Sequence, residues 1–233
     1  MKKYIWIVFI TLLWVGCDEL DNYDEPNATL TGQIVDVATG KPLKSEQPNG
    51  YRIRYREIAD KYPNAQYYYF WGKADGTFNN SKMFAAQYEI MPVEGPFVTP
   101  EPKIVTIKGK AEVQFEVIPY LVISEDEISL DATSKTLQVT FKVSKPVDSP
   151  ANPSTAFVAL TWNPNVSYNT FGATGSGIRT TRTVSADDLG STLSFNIDIS
   201  SLTPNHKWYV VMGCSSSNNT SRFNYSDVHT FEY

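Results

Sequence analysis

Catalytic side chains are few in this chain and carry no recognisable catalytic spacing. Serine hydrolysis needs a nucleophile, a base and an orienting acid, yet neither His206 nor His229 stands in a triad motif and Gly-x-Ser-x-Gly does not occur. Glycoside hydrolysis needs two carboxylates across a cleft. The chain has 25 acidic residues, which we interpret as charges of a tether and of solvated strand faces. We therefore predict no catalytic residue.

Metal and cofactor sites also lack their usual ligand spacing. Two histidines and two cysteines are too few for a histidine-based metal site, and no Cys–His zinc spacing is present. The acidic runs 125–127 and 187–188 lack the spaced Asp/Asn-Gly pattern of a calcium loop. The glycine-rich stretch 172–177 lacks the lysine of a phosphate loop. The sequence predicts neither a metal nor a cofactor.

Aromatic side chains are the residues whose type favours ligand binding. They form 13% of the chain, with 14 Tyr and 5 Trp. The apolar face of a pyranose ring stacks on an aromatic ring while its hydroxyls pair with polar groups. The candidate sugar-binding residues lie in one loop and one strand: Trp162, Tyr168 and Phe171, and Tyr67, Tyr69 and Trp71. The alternative for each is packing in a core or between domains.

Composition and charge limit the class of protein. With 42% hydrophobic and 19% charged residues, the chain has the composition of an ordinary folded protein. The length of residues 17–233 suits one large all-β domain or two domains of about 100 residues. Its net charge is −5. The densest basic group, Arg52, Arg54 and Arg56, alternates with apolar residues as on a solvated strand face. Nucleic acid is therefore not expected as a partner.

The first seventeen residues have the pattern of an export signal. Lys2 and Lys3 precede twelve uncharged, mainly apolar residues, too few for the roughly 18 to 20 that span a membrane. Gly16-Cys17 resembles the end of a bacterial lipoprotein signal, in which cleavage precedes a cysteine that carries diacylglycerol. Trp14 departs from the usual leucine. We expect residues 1–17 to be a signal with lipidated Cys17; a plain secretory signal with an incidental cysteine is the alternative.

An acidic segment follows the cysteine. Residues 18–28 contain five acids and no base, so they are expected to form an extended, self-repelling tether. The pattern resembles the surface-export signal of Gram-negative gut anaerobes, which implies an outer-membrane lipoprotein anchored by lipid and displayed on the cell surface. A solvated spacer explains the same charges equally well.

The next segment, 29–119, predicts a first β domain. Period-two alternation indicates strands around Ile34, Ile53 and Val113. Residues 32–36, Gly-Gln-Ile-Val-Asp, with Thr-Gly-Lys-Pro-Leu at 39–43, resemble the opening of transthyretin-like, carboxypeptidase-regulatory-like domains. Asp36 is expected to bond the turn amides, and Gly40 to take a positive φ.

Residues 120–233 predict a second β-sandwich, because a new set of short strands begins after Pro119 with no helical segment among them. Residues 200–204 and the inward-facing Trp208 resemble the corner before the sixth strand of fibronectin type III or Ig-like domains. Trp208 stands where that family has a tyrosine. Period two places Cys214 on the inward face of Val210 and Met212, as a buried, inert thiol.

The whole mature chain resembles a two-domain lipoprotein family of unknown function. Its members tend to accompany starch-utilisation-type glycan-uptake complexes of the outer membrane. The resemblance implies a non-catalytic accessory or glycan-binding protein, whose partners are the membrane, a glycan and uptake proteins. A structural spacer or adhesion stalk is the alternative, and a hydrolase with an unrecognised site is the third.

Overall fold

The computed structural model describes residues 25–59, 64–172 and 176–233. The predicted signal, Cys17 and most of the acidic segment lie outside these ranges. The described residues form two β-sandwiches, which confirms the predicted all-β fold class. Within the described part of the chain, no helix has the length and apolar character needed to cross a membrane.

The first sandwich packs the four-stranded sheet β4-β1-β8-β6 on the four-stranded sheet β3-β2-β5-β7. Its strands are β1 (Ala28–Asp36), β2 (Arg52–Glu57), β3 (Tyr68–Trp71), β4 (Thr77–Met83), β5 (Ala86–Val93), β6 (Phe97–Val98), β7 (Lys103–Ile107) and β8 (Lys110–Pro119). β1 pairs antiparallel with β4 and parallel with β8. Gly32 permits this close packing, because a Cβ there would lie 2.0 Å from the carbonyl oxygen of Val113.

The turn after β1 has the predicted chemistry. The Asp36 carboxylate accepts hydrogen bonds from the Ala38 amide at 3.0 Å and from the Thr39 hydroxyl at 2.8 Å. Gly40 has φ +68°, a region that costs glycine little. Asp36 is thus a structural residue of the turn.

The second sandwich packs the sheet β13-β10-β9 on the sheet β12-β11-β14-β15, with β16 paired to β14. Its strands are β9 (Val122–Asp131), β10 (Thr136–Ser144), β11 (Pro153–Thr161), β12 (Gly177–Thr183), β13 (Thr192–Asp198), β14 (Lys207–Ser216), β15 (Asn219–Tyr225) and β16 (His229–Glu232). A short 3₁₀ helix, Ala186–Asp188, precedes β13 and is capped by Ser185.

The inward face of β14 is the predicted one. Trp208, Val210, Met212 and Cys214 are all fully buried in one core. Burial raises the pKa of the Cys214 thiol to about 12. Because the reactive form of cysteine is the thiolate, Cys214 is an inert core residue.

The sequence alternation predicts that Phe157, Ala159 and Thr161 form one apolar face of a half-polar strand, but β11 is apolar on both faces. Ala156, Val158 and Leu160 face the core between the sheets, whereas Phe157 and Ala159 belong to a separate apolar cluster with Phe223 and Tyr225 on the other face. The loop 162–172 covers this second face with Val166 and Tyr168. A strand that is buried on both faces has a nearly continuous apolar sequence, and residues 156–160 of β11 have such a sequence.

Buried polar groups join the two sandwiches. Asn224 of the second sandwich accepts a hydrogen bond from the Leu121 amide at 3.1 Å and donates one to the Pro96 carbonyl at 3.0 Å. Glu46, only 3% exposed, accepts bonds from the Ser167 hydroxyl at 2.7 Å and from the backbone and side-chain N–H groups of Asn169 at 3.1 and 2.9 Å. These bonds fix how the sandwiches are oriented relative to each other.

Candidate functional site

One outer face of the first sandwich carries interleaved arginines and aromatic rings. It forms because β2 and β3 pair antiparallel, with Arg52 opposite Trp71 and Arg54 opposite Tyr69. Successive side chains of a strand point to opposite faces. The arginines of β2 and the odd-numbered aromatics of β3 therefore share the face that points away from the core.

The opposite face of the same strands anchors them. Tyr51 and Ile53 are fully buried, and Phe70 packs against Phe78 and Tyr55. The Tyr51 hydroxyl donates to the Thr77 carbonyl at 2.8 Å, and burial raises its pKa. The outer face is thus displayed on a sheet that a packed core holds rigid.

The rings and guanidinium groups on the outer face form a continuous row. Arg56 and Arg54 lie 4.8 and 4.3 Å from the Tyr67 ring centre, and Arg52 lies 4.4 Å from the Tyr69 ring and 5.6 Å from the Trp71 ring. Arg222 of the second sandwich lies 5.6 Å from the same Trp71 ring. We call this set the arginine–aromatic row: Arg56, Tyr67, Arg54, Tyr69, Arg52, Trp71 and Arg222.

Two glutamates neutralise part of the row. Arg52 pairs with Glu94, and Arg56 pairs with Glu89 at 2.7 Å. The Tyr67 hydroxyl also donates to Glu89 at 3.0 Å. Hydrogen bonds from Arg56 lower the pKa of Glu89, with Tyr67 and Arg54 adding to the effect, and the bond to Glu94 raises the pKa of Arg52. The Arg56–Glu89 pair is consequently charged at neutral pH.

Arg54 and Arg222 form no salt bridge within the described part of the chain. Among the described residues, Arg54 contacts the sulfur of Met91, at 3.9 Å, and the ring of Tyr67. Arg222 donates from Nε to the Glu94 carbonyl oxygen at 3.2 Å. Among the described residues, four guanidinium groups therefore face two carboxylates on this surface, an excess of two positive charges in a chain of net charge −5.

Two of the predicted residues in the first sandwich are open to solvent. Tyr69 is 44% exposed and Trp71 is 39% exposed, while Tyr67 is half-buried. Tyr69 and Trp71 lie on one face of β3, and Tyr67 directly precedes that strand. These three candidates are therefore brought together on one surface.

Trp162 lies apart from that surface, in the second sandwich. It is 42% exposed, and its ring lies 4.8 Å from His206 and 6.0 Å from buried Trp208. One ring face thus packs on the domain.

The two other predicted residues of the second sandwich are engaged in packing. The Tyr168 ring stacks on Phe223 at 4.2 Å. Arg179 lies over the rings of both Tyr168 and Phe171, at 4.2 and 4.6 Å, and donates to the Tyr168 carbonyl at 2.6 Å. The packing alternative describes these two better than ligand stacking does.

The groove between the sandwiches holds carboxylates that already have partners. Its volume is about 600 Å³, and it is lined by Asp36, Glu125, Asp126 and Asp227 among others. Asp36 bonds its own turn, while the other three pair with Lys142, His229 and Lys44, respectively. In the described ranges, no three His, Cys, Asp or Glu side chains are grouped as metal ligands would be.

The sequence indicated the aromatic half of the site more clearly than the cationic half. Arg52, Arg54 and Arg56 were interpreted as a solvated basic face, although their spacing already matches that of Tyr67, Tyr69 and Trp71. No sequence pattern indicated Arg222 as a site residue, since it approaches Trp71 only in the folded protein, from the second sandwich.

Comparison with known protein families gives a match for the first sandwich. Residues 28–118 match a family described as protein of unknown function (DUF3823), N-terminal domain. No curated protein matches the chain.

Several solved structures have the same fold across both sandwiches. A Bacteroides uniformis protein described as a "putative carbohydrate binding protein" aligns with a TM-score of 0.72 and 20% identity, over 89% of this chain and all of that one. A DUF3823 family protein from the same organism gives 0.71 and 19%, over 89% and 99% of the two chains. One from Parabacteroides merdae gives 0.71 and 20%, over 90% and 100%.

At these identities the alignments show the fold alone. They extend over both sandwiches, whereas the sequence match is confined to the first. Residues 28–118 thus match the DUF3823 N-terminal domain, and the chain has an all-β, two-domain fold like that of the DUF3823 family proteins above.

Proposed function

We propose that this protein is a non-catalytic carbohydrate-binding lipoprotein, and that the arginine–aromatic row is its glycan-binding face. The observation that carries the proposal is the exposure of Tyr69 and Trp71 side by side on a rigid sheet, flanked by arginine donors. Large exposed aromatics grouped on one surface commonly mark a binding site. Sugar rings suit such a surface because they offer apolar faces and hydroxyl acceptors together.

The dimensions of the row suit an oligosaccharide. From Tyr67, which directly precedes β3, to Trp71 the extended chain covers four residue steps, roughly 13 Å, which is longer than a single pyranose. Stacking on two or three rings gives modest affinity, so we expect dissociation constants between micromolar and millimolar, about −4 to −8 kcal/mol. The description of the Bacteroides uniformis neighbour points to the same class of ligand.

Alanine variants of the exposed rings test the glycan-binding proposal. In residues 18–233, which include every described residue, Tyr69→Ala and Trp71→Ala should each weaken binding to a glycan selected from a polysaccharide array by about tenfold, or 1.4 kcal/mol. Tyr68→Ala is the matched control, because Tyr68 is exposed on the other side of the same strand. Calorimetric titration measures the affinities. Equal losses in all three variants, or binding unchanged in the first two, would refute this site.

The same proposal places the protein on the outer membrane, anchored through Cys17 and displayed at the cell surface beside glycan-uptake proteins. Gly16-Cys17 and the short apolar run before it support the anchor, and the acids that follow support surface display. Cys17→Ser should abolish incorporation of labelled fatty acid and release the protein from the membrane fraction. Persistent labelling of that variant would contradict the anchor.

A spacer that holds a complex away from the membrane is the second candidate. The buried bonds of Glu46 and Asn224 favour it, because they hold the two sandwiches in one orientation. A spacer needs no exposed ring on the row. Failure of every arrayed glycan to bind would leave this candidate standing.

A further inference from the structure

We propose that the arginine–aromatic row selects a glycan that carries negative charge, through a carboxylate or sulfate group seated against Arg54. This inference rests on the proposed function, since it names the class of carbohydrate for the same face. It follows from the distribution of donors, acceptors and charges along the row.

The row offers mostly hydrogen-bond donors. A guanidinium group has five N–H donors and no acceptor, and the row contains four such groups. The carboxylates of Glu89 and Glu94 are already occupied by Arg56, Tyr67 and Arg52. A ligand that satisfies this face must therefore bring acceptors rather than donors.

Arg54 is the centre of this argument. It lies between the two ion-paired arginines along β2 and is half-buried. Within the described residues Arg54 forms no salt bridge, although it lies close enough to Glu89 to help lower the pKa of that carboxylate. Arg222, at the Trp71 end of the row, is a second guanidinium group that has no salt bridge among the described residues.

Covering the row with a ligand removes water from these cations. Desolvating a charge is costly unless an opposite charge replaces the water. A neutral sugar stacked on Tyr69 and Trp71 does not offset the desolvation free energy of Arg54. A planar carboxylate or a sulfate group does, because it can accept paired N–H bonds from a guanidinium. Charge complementarity therefore favours an anionic glycan over a neutral one.

The arrangement of rings strengthens the preference. Guanidinium groups lie over the Tyr67 and Tyr69 rings within 4.8 Å, so these ring faces are partly covered by cations. The surface left for a sugar is consequently a mixture of ring edges and N–H groups. An anionic group beside a pyranose matches both parts of it.

Paired probes with one backbone and different charge test the inference. Residues 18–233 are titrated with oligogalacturonate and its fully methyl-esterified form, and separately with dextran sulfate and dextran. We expect at least one charged probe to bind at least tenfold more tightly than its neutral partner, with affinity that falls as salt rises. The pair that shows the preference identifies carboxylate or sulfate as the group recognised.

Arg54→Gln should reduce the affinity for the charged probe to that for its neutral partner. Arg182→Gln is the matched control, because Arg182 is an exposed arginine of the second sandwich outside the row. Equal losses in both variants would show diffuse attraction and overturn the inference, as would equal binding of poly-glutamate, which would point to an acidic protein. Neutral probes that bind as tightly as charged ones overturn the inference and leave the proposed function intact. If no charged probe binds, the inference fails, and the polysaccharide array decides the proposed function independently.

Discussion

Replacing Glu46 by alanine is expected to lower the free energy of unfolding by about 3 kcal/mol. Its buried carboxylate accepts three hydrogen bonds from Ser167 and Asn169 across the junction between the sandwiches. Removing it leaves buried donors without an acceptor, and each hydrogen bond to a charged group contributes about 1.5–3 kcal/mol. Urea denaturation of residues 18–233 measures the loss.

Two further measurements separate the junction from general destabilisation. Glu112→Ala removes an exposed glutamate of β8 and should change the stability by less than about 0.5 kcal/mol. Relative to the wild type, hydrogen exchange in the Glu46 variant should speed up more for the amides of Asn169 and Thr170 than for the amides of β5. A Glu46→Ala protein as stable and as protected as the wild type would show that the carboxylate does not join the domains.

Trp208→Ala is expected to cost about 3–5 kcal/mol, the range found for large aromatic residues in cores. Trp208 is fully buried, and its ring packs between those of Trp162 and Phe231 at 6.0 and 6.4 Å. Trp162→Ala is the comparison, because Trp162 covers Trp208 from the solvent side while 42% exposed. We expect it to cost about 1 kcal/mol.

Thermal and urea unfolding of both variants checks this difference. If Trp162→Ala destabilises the protein as much as Trp208→Ala does, Trp162 is part of the core and is no ligand-binding candidate. If Trp208→Ala leaves the stability unchanged, the inward face assigned to β14 is wrong.

Strand faces were predictable wherever one side of a sheet meets solvent. Period two correctly placed Tyr51 and Ile53 inward, and Val210, Met212 and Cys214 in one core. The method rests on apolar and polar residues alternating. It therefore missed the core-facing side of β11, formed by Ala156, Val158 and Leu160, because the opposite side is apolar as well and packs under the loop 162–172.

Prolines also favoured a wrong prediction, of loop instead of strand, at the start of residues 91–103. The four prolines of residues 91–103 favour an irregular loop, but β5 continues through Pro92 to Val93. Pro92 lies opposite Ile53 on β2, whereas the pairing of β5 with β7 ends at Ile90. At Pro92 the missing N–H therefore interrupts no ladder with β7, and the strand tolerates it.

The candidate site depends on pairing that no single segment encodes. Alternation placed Tyr67, Tyr69 and Trp71 on one face and the three arginines on another strand face, but left open which strands are neighbours. The register of β2 against β3 brings the two sets together. Arg222 joins them only because the buried bonds at the junction orient the second sandwich.

Fluorine NMR of the three tryptophans in residues 18–233 tests the central claim most directly. After labelling with 5-fluorotryptophan, each of Trp71, Trp162 and Trp208 gives one resonance, which a Trp→Phe variant at that position assigns. Titration with the glycan that the array selects should shift the Trp71 resonance and leave that of Trp208 unchanged, because only the former lies in the arginine–aromatic row. A shift confined to Trp162, or bound glycan with no shift at Trp71, would contradict the account.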